Sequence, residues 1–286
     1  MSSRPARYAV IGNPIAHSRS PEIHAMFAAQ TGESLTYERL LAPLGGFAAT
    51  VDAFRADGGR GCNVTLPFKT DAFAYARRHT PRALAAGAVN TLVLDGDEVL
   101  GDNTDGPGLV ADIERRIGVP LAGARVLLLG AGGAARGVVL PMFEAGAAAI
   151  AIANRTAARA VALRDELAAR LAPRQAAALT AGGFDDTARA GFDLIVNATA
   201  AGLSDAAPAI PPAAWSGPRL ALDMVYGAHP TAFMRAALEA GVPRVEDGLG
   251  MLVGQAAEAF ALWRGVRPDA LPVWTALRAQ LARAAG

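Results

Sequence analysis

The chain has 286 residues, 52% of them hydrophobic and 19% charged, with a formal net charge of +1. That length accommodates two ordinary domains, and that apolar content excludes a disordered chain. Near-neutral charge without a basic block removes the electrostatic footprint of a nucleic-acid binder, and one cysteine, Cys62, removes a disulfide framework and suits a reducing compartment.

Met1 to Arg7 lead directly into Tyr8-Ala-Val-Ile11 without the long apolar run of a secretory leader. Gly, Pro or charge interrupts the other apolar stretches before the roughly 18 residues that a membrane helix needs. The expectation is a cytoplasmic α/β protein acting on small molecules, with no metal and with neither nucleic acid nor membrane as partner.

Tyr8 to Ile11 reads as a strand ending in the turn-rich Gly12-Asn-Pro-Ile-Ala-His-Ser-Arg-Ser-Pro21. Ser20-Pro21 has the form of a helix start, Ser as N-cap and Pro at the first helical position. Ser18 needs another explanation, and two hydroxyls beside a helix N-terminus make a carboxylate site. Leu35 to Leu41 is a second strand and Phe47 to Arg55 a helix. Gly58-Gly-Arg-Gly61 turns into the strand Cys62-Asn-Val-Thr-Leu66, and Pro67-Phe-Lys-Thr-Asp71 opens the next helix. Lys69 therefore stands just outside the carboxyl end of a strand, where ligands bind in open α/β sheets.

Gly87 to Leu94 is predicted as a strand, turned by Asp95-Gly-Asp97 into Val99-Leu100. Gly101-Asp-Asn-Thr-Asp-Gly106 follows as an Asx-rich loop. Asn90 and Asp105 are polar residues at strand edges in the same half of the chain as Lys69. A helix from Leu109 to Ile117 then carries the chain onward.

Val126 to Leu129 is an all-aliphatic run, as expected of a strand buried on both faces. Gly130-Ala-Gly-Gly-Ala-Ala135 fits G-x-G-x-x-A between that strand and a helix, the context required of a dinucleotide loop. Ala148 to Ala153 is the next strand. An NAD site carries Asp or Glu at its end to hold the ribose 2′-hydroxyl. This chain has Asn154-Arg-Thr156 and Arg159 instead, groups suited to a 2′-phosphate, so the expected cofactor is NADP(H). Strands at Phe192 to Ala198 and Leu220 to Tyr226, with a helix from Thr231 to Ala240, make residues 125–245 doubly wound. Helices from Leu249 to Trp263 and from Pro272 to Ala285 close the chain.

Four segments closely resemble the shikimate dehydrogenase family: Ile11 to Pro21, Asn63-Val-Thr-Leu-Pro-Phe-Lys69, Ala86-Gly-Ala-Val-Asn-Thr91 and Gly101 to Gly106. So do Gly130 to Arg136, Asn154-Arg-Thr156, Asp223-Met-Val-Tyr226 and Asp247 to Gln255. The resemblance implies NADPH-dependent reduction of 3-dehydroshikimate to shikimate in aromatic amino-acid and chorismate biosynthesis. It also implies two α/β domains: a substrate domain, 1–105 completed by the C-terminal helices at 248–286, and a Rossmann-type NADP domain at 106–247. The expected assembly is a monomer or homodimer.

Carried over residue by residue, the resemblance puts Ser18, Ser20 and Tyr226 on the substrate carboxylate. Thr65, Asn90 and Gln255 meet ring hydroxyls, and Lys69 with Asp105 forms the catalytic pair, Asp105 also contacting substrate. Gly130, Ala131, Gly132, Gly133 and Ala134 line the pyrophosphate, and Asn154, Arg155, Thr156 and Arg159 the 2′-phosphate. Met224 and Gly248 border the nicotinamide. One departure is that Ala200-Ala201 follow Asn197-Ala-Thr199 where the family commonly has hydroxyls. The rival readings are a quinate/shikimate dehydrogenase that prefers NAD and a non-catalytic NADP-binding regulator.

Overall fold

The computed structural model describes residues 5–189, 191–199 and 207–285. Two six-stranded sheets are built in sequence order, one before residue 105 and one after residue 124.

The first sheet contains β1 (Ala6–Gly12), β2 (Leu35–Leu41), β3 (Gly59–Val64), β4 (Arg78–His79), β5 (Thr91–Val93) and β6 (Leu100–Asp102). Its order is β2-β1-β3-β5-β6-β4, with β1 parallel to β2 and β3, and β5 antiparallel to both its neighbours. Helices α1 (Ser20–Thr31), α2 (Phe47–Ala56), α3 (Lys69–Tyr75) and α4 (Pro81–Ala86) connect the strands. Ala9, Ile11, Cys62 and Val64 face a core completed by Phe47, Val51, Phe54 and Phe68. Cys62 is a buried core residue, and burial pushes its thiol well up.

Helix α5 (Asp105–Ala111) runs into a π-helical turn, Asp112–Ile117, and leads to the second sheet. This sheet comprises β7 (Arg125–Leu129), β8 (Ala149–Ala153), β9 (Leu179–Gly182), β10 (Leu194–Asn197), β11 (Leu220–Asp223) and β12 (Val245–Glu246). Every pairing is parallel in the order β12-β11-β10-β7-β8-β9, the doubly wound dinucleotide-binding topology. The aliphatic run of β7 explains its central place. Val126 and Leu128 join one core with Val138 and Met142, while Leu127 and Leu129 join another with Phe192 and Phe233. Alternate side chains thus bury opposite faces.

The crossovers of this sheet are α6 (Gly133–Glu144), α7 (Ala157–Ala168), α8 (Pro173–Ala177) and α9 (Ala232–Glu239). Helices α10 (Leu249–Arg264) and α11 (Ala270–Ala285) return to the first sheet, where Val253, Phe260 and Leu277 pack with Ile23 and Phe27 of α1. The crossing of α5 and α10 depends on glycines: a Cβ at Gly254 would stand 2.7 Å from the Gly108 carbonyl oxygen.

Several sequence expectations change here. Gly87 to Leu94 is mostly not strand. Thr80 caps α4 through its Oγ1, which accepts from Ala83 N at 3.3 Å, Gly87 ends it in the left-handed region, and only Thr91–Val93 pair. The N-cap of α1 is Arg19, so the Ser20 hydroxyl is not spent on capping. Helix α5 begins at Asp105, four residues before the expected Leu109. Strand β11 stops at Asp223, leaving Met224 to Tyr226 outside the sheet. Ala200 and Ala201 lie outside the described residues.

Candidate active site

Lys69 and Asp105 each occupy the first position of a helix, α3 and α5, beyond the ends of β3 and β6. Lys69 Nζ donates to Asp105 Oδ2 at 2.6 Å, and the side chains are only 22% and 10% exposed. The other carboxylate oxygen, Oδ1, accepts from Asn90 Nδ2 at 2.9 Å. Asn103 Oδ1 accepts from the Asp105 backbone N at 3.2 Å. Asp105 thus sits at a helix start, which favours negative charge, with both oxygens accepting hydrogen bonds.

Asn90 is buried between the strands and brings Gln255 of α10 into the cluster, its Nδ2 lying 3.4 Å from Gln255 Oε1. The Gln255 amide donates to Leu252 O at 2.9 Å. The residue that leads into the interior strand β5 and a helix residue 165 positions later in the chain meet at one point. Thr65, half-buried in the turn between β3 and α3, makes no side-chain hydrogen bond to a described residue.

A second polar group lies at the start of α1. Ser18 Oγ donates to Ser20 Oγ at 3.2 Å. Tyr226 packs against the α1 and α10 cluster beside Arg19. Burial raises the pKa of its hydroxyl, with Arg19 opposing the shift. Beneath these groups His24 stacks on Tyr37 with ring centroids 4.2 Å apart. Burial lowers the pKa of His24 to about 3.

On the second sheet, the glycine loop joins β7 to α6. Gly130 has φ +108 and lies against the Ala198 backbone, so it satisfies both the turn and the close approach to β10. Gly132 and Gly133 differ: a Cβ on either would meet nothing within 4 Å. The protein's own packing does not call for glycine there, whereas a group approaching the start of α6 does. Ala131 and Ala134 flank them, half-buried.

After β8, Asn154 Nδ2 donates to the Thr156 carbonyl at 3.0 Å and shapes the turn. Arg155, Thr156 and Arg159 are exposed, and neither arginine makes an ion pair with a described residue. The five residues that follow β8, Asn154 to Ala158, include no carboxylate. Gly248 backs directly onto the Met224 carbonyl, so close that a Cβ could not fit, and its N donates to Val225 O at 3.2 Å.

Three family descriptions match in succession: "Shikimate dehydrogenase substrate binding domain" over residues 10–92, "Shikimate / quinate 5-dehydrogenase" over 112–202, and "Shikimate 5'-dehydrogenase C-terminal domain" over 248–278. The chain belongs to the shikimate dehydrogenase family. A relative from Herminiimonas arsenicoxydans, named shikimate dehydrogenase (NADP(+)), is 56% identical over 281 residues, covering 98% of this chain and 100% of the relative. The crystal structure of an Ael1 enzyme from Pseudomonas putida superposes with a TM-score of 0.89 at 45% identity, over 95% of this chain and 98% of that one. A shikimate 5-dehydrogenase from Thermus thermophilus, solved with NADP(H) and shikimate, has a TM-score of 0.82 at 37% identity, over 96% and 100%.

Within this shikimate dehydrogenase fold, Lys69, Asp105, Asn90 and Gln255 form one hydrogen-bonded cluster and Ser18 with Ser20 a second. The sequence reading missed the polar side chains between them: Tyr37, Asn63, Thr91 and Thr104. Three of the four stand inside family-like segments, and Asn63, Thr91 and Thr104 are buried. A polar residue at an inward position of a strand or its flank was the available signal. Tyr37, in the strand of Leu35 to Leu41, carried none.

Proposed function

We propose that this chain is an NADP-dependent shikimate dehydrogenase that interconverts 3-dehydroshikimate and shikimate. The observation that carries the reading is the Lys69–Asp105 pair held against Asn90 and Gln255 in a family whose relatives carry that name. Substrate handling falls to residues 1–105 with 248–286, and dinucleotide handling to 106–247. The enzyme works in the cytoplasm as a monomer or homodimer, and among the described residues no helix is long and apolar enough to cross a membrane.

The residues fit NADP. Gly130 to Ala134 leave the start of α6 open to a pyrophosphate, with Gly132 and Gly133 free of any packing need for hydrogen at Cα. Asn154, Arg155, Thr156 and Arg159 supply donors and positive charge where a bare 2′-hydroxyl would want a carboxylate. Met224 and Gly248 border the nicotinamide. When bound, the dinucleotide supplies a hydride to the substrate carbonyl carbon.

Ser18, Ser20 and Tyr226 hold the substrate carboxylate, and Thr65, Asn90 and Gln255 the ring hydroxyls. Lys69 faces the carbonyl oxygen. Its ammonium stabilises the charge that develops there and donates the proton that converts alkoxide to alcohol. Both Asp105 oxygens already accept hydrogen bonds, so Asp105 has no proton to give in this arrangement. It keeps the ammonium aimed, and takes part in binding the reacting hydroxyl in the reverse direction.

The test is transfer of label. Shikimate deuterated at its carbinol carbon, incubated with NADP+, is expected to give deuterated NADPH and a rate slowed by the isotope. Absence of NADPH formation would remove the assignment.

A further inference from the structure

A run of hydrogen-bonded polar side chains leads from Tyr37 of β2 to the Asp105 cluster. The Tyr37 hydroxyl donates to Asn63 Oδ1 at 2.7 Å. The Asn63 amide donates to Thr91 Oγ1 at 3.0 Å, and the Thr91 hydroxyl donates to Asn90 Oδ1 at 2.9 Å. Asn90 Oδ1 also accepts from the Thr104 backbone N at 2.8 Å and the Thr104 hydroxyl at 3.1 Å. With its oxygen so occupied, the Asn90 amide has one orientation, N–H toward Asp105 Oδ1.

We propose that Thr91 and Thr104 are positioning residues for the hydride-transfer reaction, locking Asn90 so that a continuous hydrogen-bond relay runs from Tyr37 to Asp105. The inference rests on the shikimate dehydrogenase reading above. Both threonines are fully buried at 0% exposure and act through Asn90. Every link runs donor to acceptor in one direction, Tyr37 to Asn63 to Thr91 to Asn90 to Asp105, the arrangement in which successive bonds polarise one another. Without the two hydroxyl donors only the Thr104 backbone N still holds the Asn90 oxygen, and the amide is held less firmly with its N–H toward Asp105. Asp105 Oδ1 then has a less firmly fixed donor, and the carboxylate aims Lys69 less firmly.

Thr91→Val and Thr104→Val keep shape and remove only the hydroxyl. Each is expected to lower kcat for shikimate about tenfold, the scale of a slightly misplaced catalytic group. KM for NADP+ should stay unchanged, and Thr91→Ser and Thr104→Ser should restore kcat. Loss of thermal stability with wild-type kcat in the valine variants would overturn the proposal. A second readout needs no turnover: the Asn90 side-chain amide protons, followed by NMR, should lose protection from solvent exchange in both valine variants, and retained protection would also overturn it. A wild-type chain inactive on shikimate would instead sink the reading of the reaction and leave the exchange measurement to decide the relay.

Discussion

Lys69 Nζ and Asp105 Oδ2 are 2.6 Å apart although 36 residues separate them, because each begins a helix beyond the carboxyl end of a strand. That placement makes the loss on removing Lys69 specific to the chemical step. Lys69→Ala is expected to lower turnover at least about 100-fold while NADP+ binding, measured by calorimetry, survives, since lost acid–base groups cost roughly that much. Unchanged turnover would take Lys69 out of the mechanism.

The arginines after β8 should set the cofactor preference. Arg155→Ala and Arg159→Ala each remove a charge-assisted partner of a 2′-phosphate, worth about 1.5–3 kcal/mol. KM for NADP+ should rise roughly 10- to 150-fold, with about 1.4 kcal/mol per factor of ten, while KM for NAD+ changes little. Equal effects on both cofactors would show that the arginines do not read the phosphate.

His24 predicts a pH dependence of stability. Its pKa in the fold is about 3, against an ordinary 6.5, because burial disfavours the charged ring. As pH falls below 6.5 the unfolded chain therefore takes up a proton first. Stability from this residue is intact above that point and is lost toward about pH 3, at up to about 1.4 kcal/mol per pH unit. Its surroundings are aromatic, Phe27, Tyr37, Phe260 and Trp263. His24→Phe should flatten denaturant-derived stability against pH across that interval. A slope identical to wild type would contradict the assignment.

The crossing of α5 over α10 offers a packing test. Gly254→Ala would push a methyl to 2.7 Å from Gly108 O, and overpacking of this kind costs about 1–3 kcal/mol. The midpoint of thermal unfolding should fall, and turnover with it, because α5 carries Asp105. A variant as stable as wild type would mean the helices separate freely.

How much of this was legible depended on whether a residue announced its own environment. The aliphatic residues of β7, Val126 to Leu129, did, since such a run ahead of a glycine turn suits a strand buried on both faces. The missing acid at Asn154 did too, because its absence has a chemical meaning at that strand end. The short strands β4 and β12, two residues each, carry too few side chains to show a period. Thr80-Pro81 was a readable cap for α4, overlooked because the aliphatic stretch after Gly87 outweighed it. The pairing of Lys69 with Asp105 came from family-like segments, since no local pattern links positions so far apart. Thr91 hid in plain view, as threonine beside leucine and valine reads only as strand propensity.

The most direct measurement is the four-way comparison of kcat/KM for shikimate and quinate, each with NADP+ and with NAD+, followed by NADPH or NADH absorbance. The expected result is shikimate with NADP+ well above the other three combinations. A preference for quinate with NAD+, or no turnover of either substrate, would contradict the account.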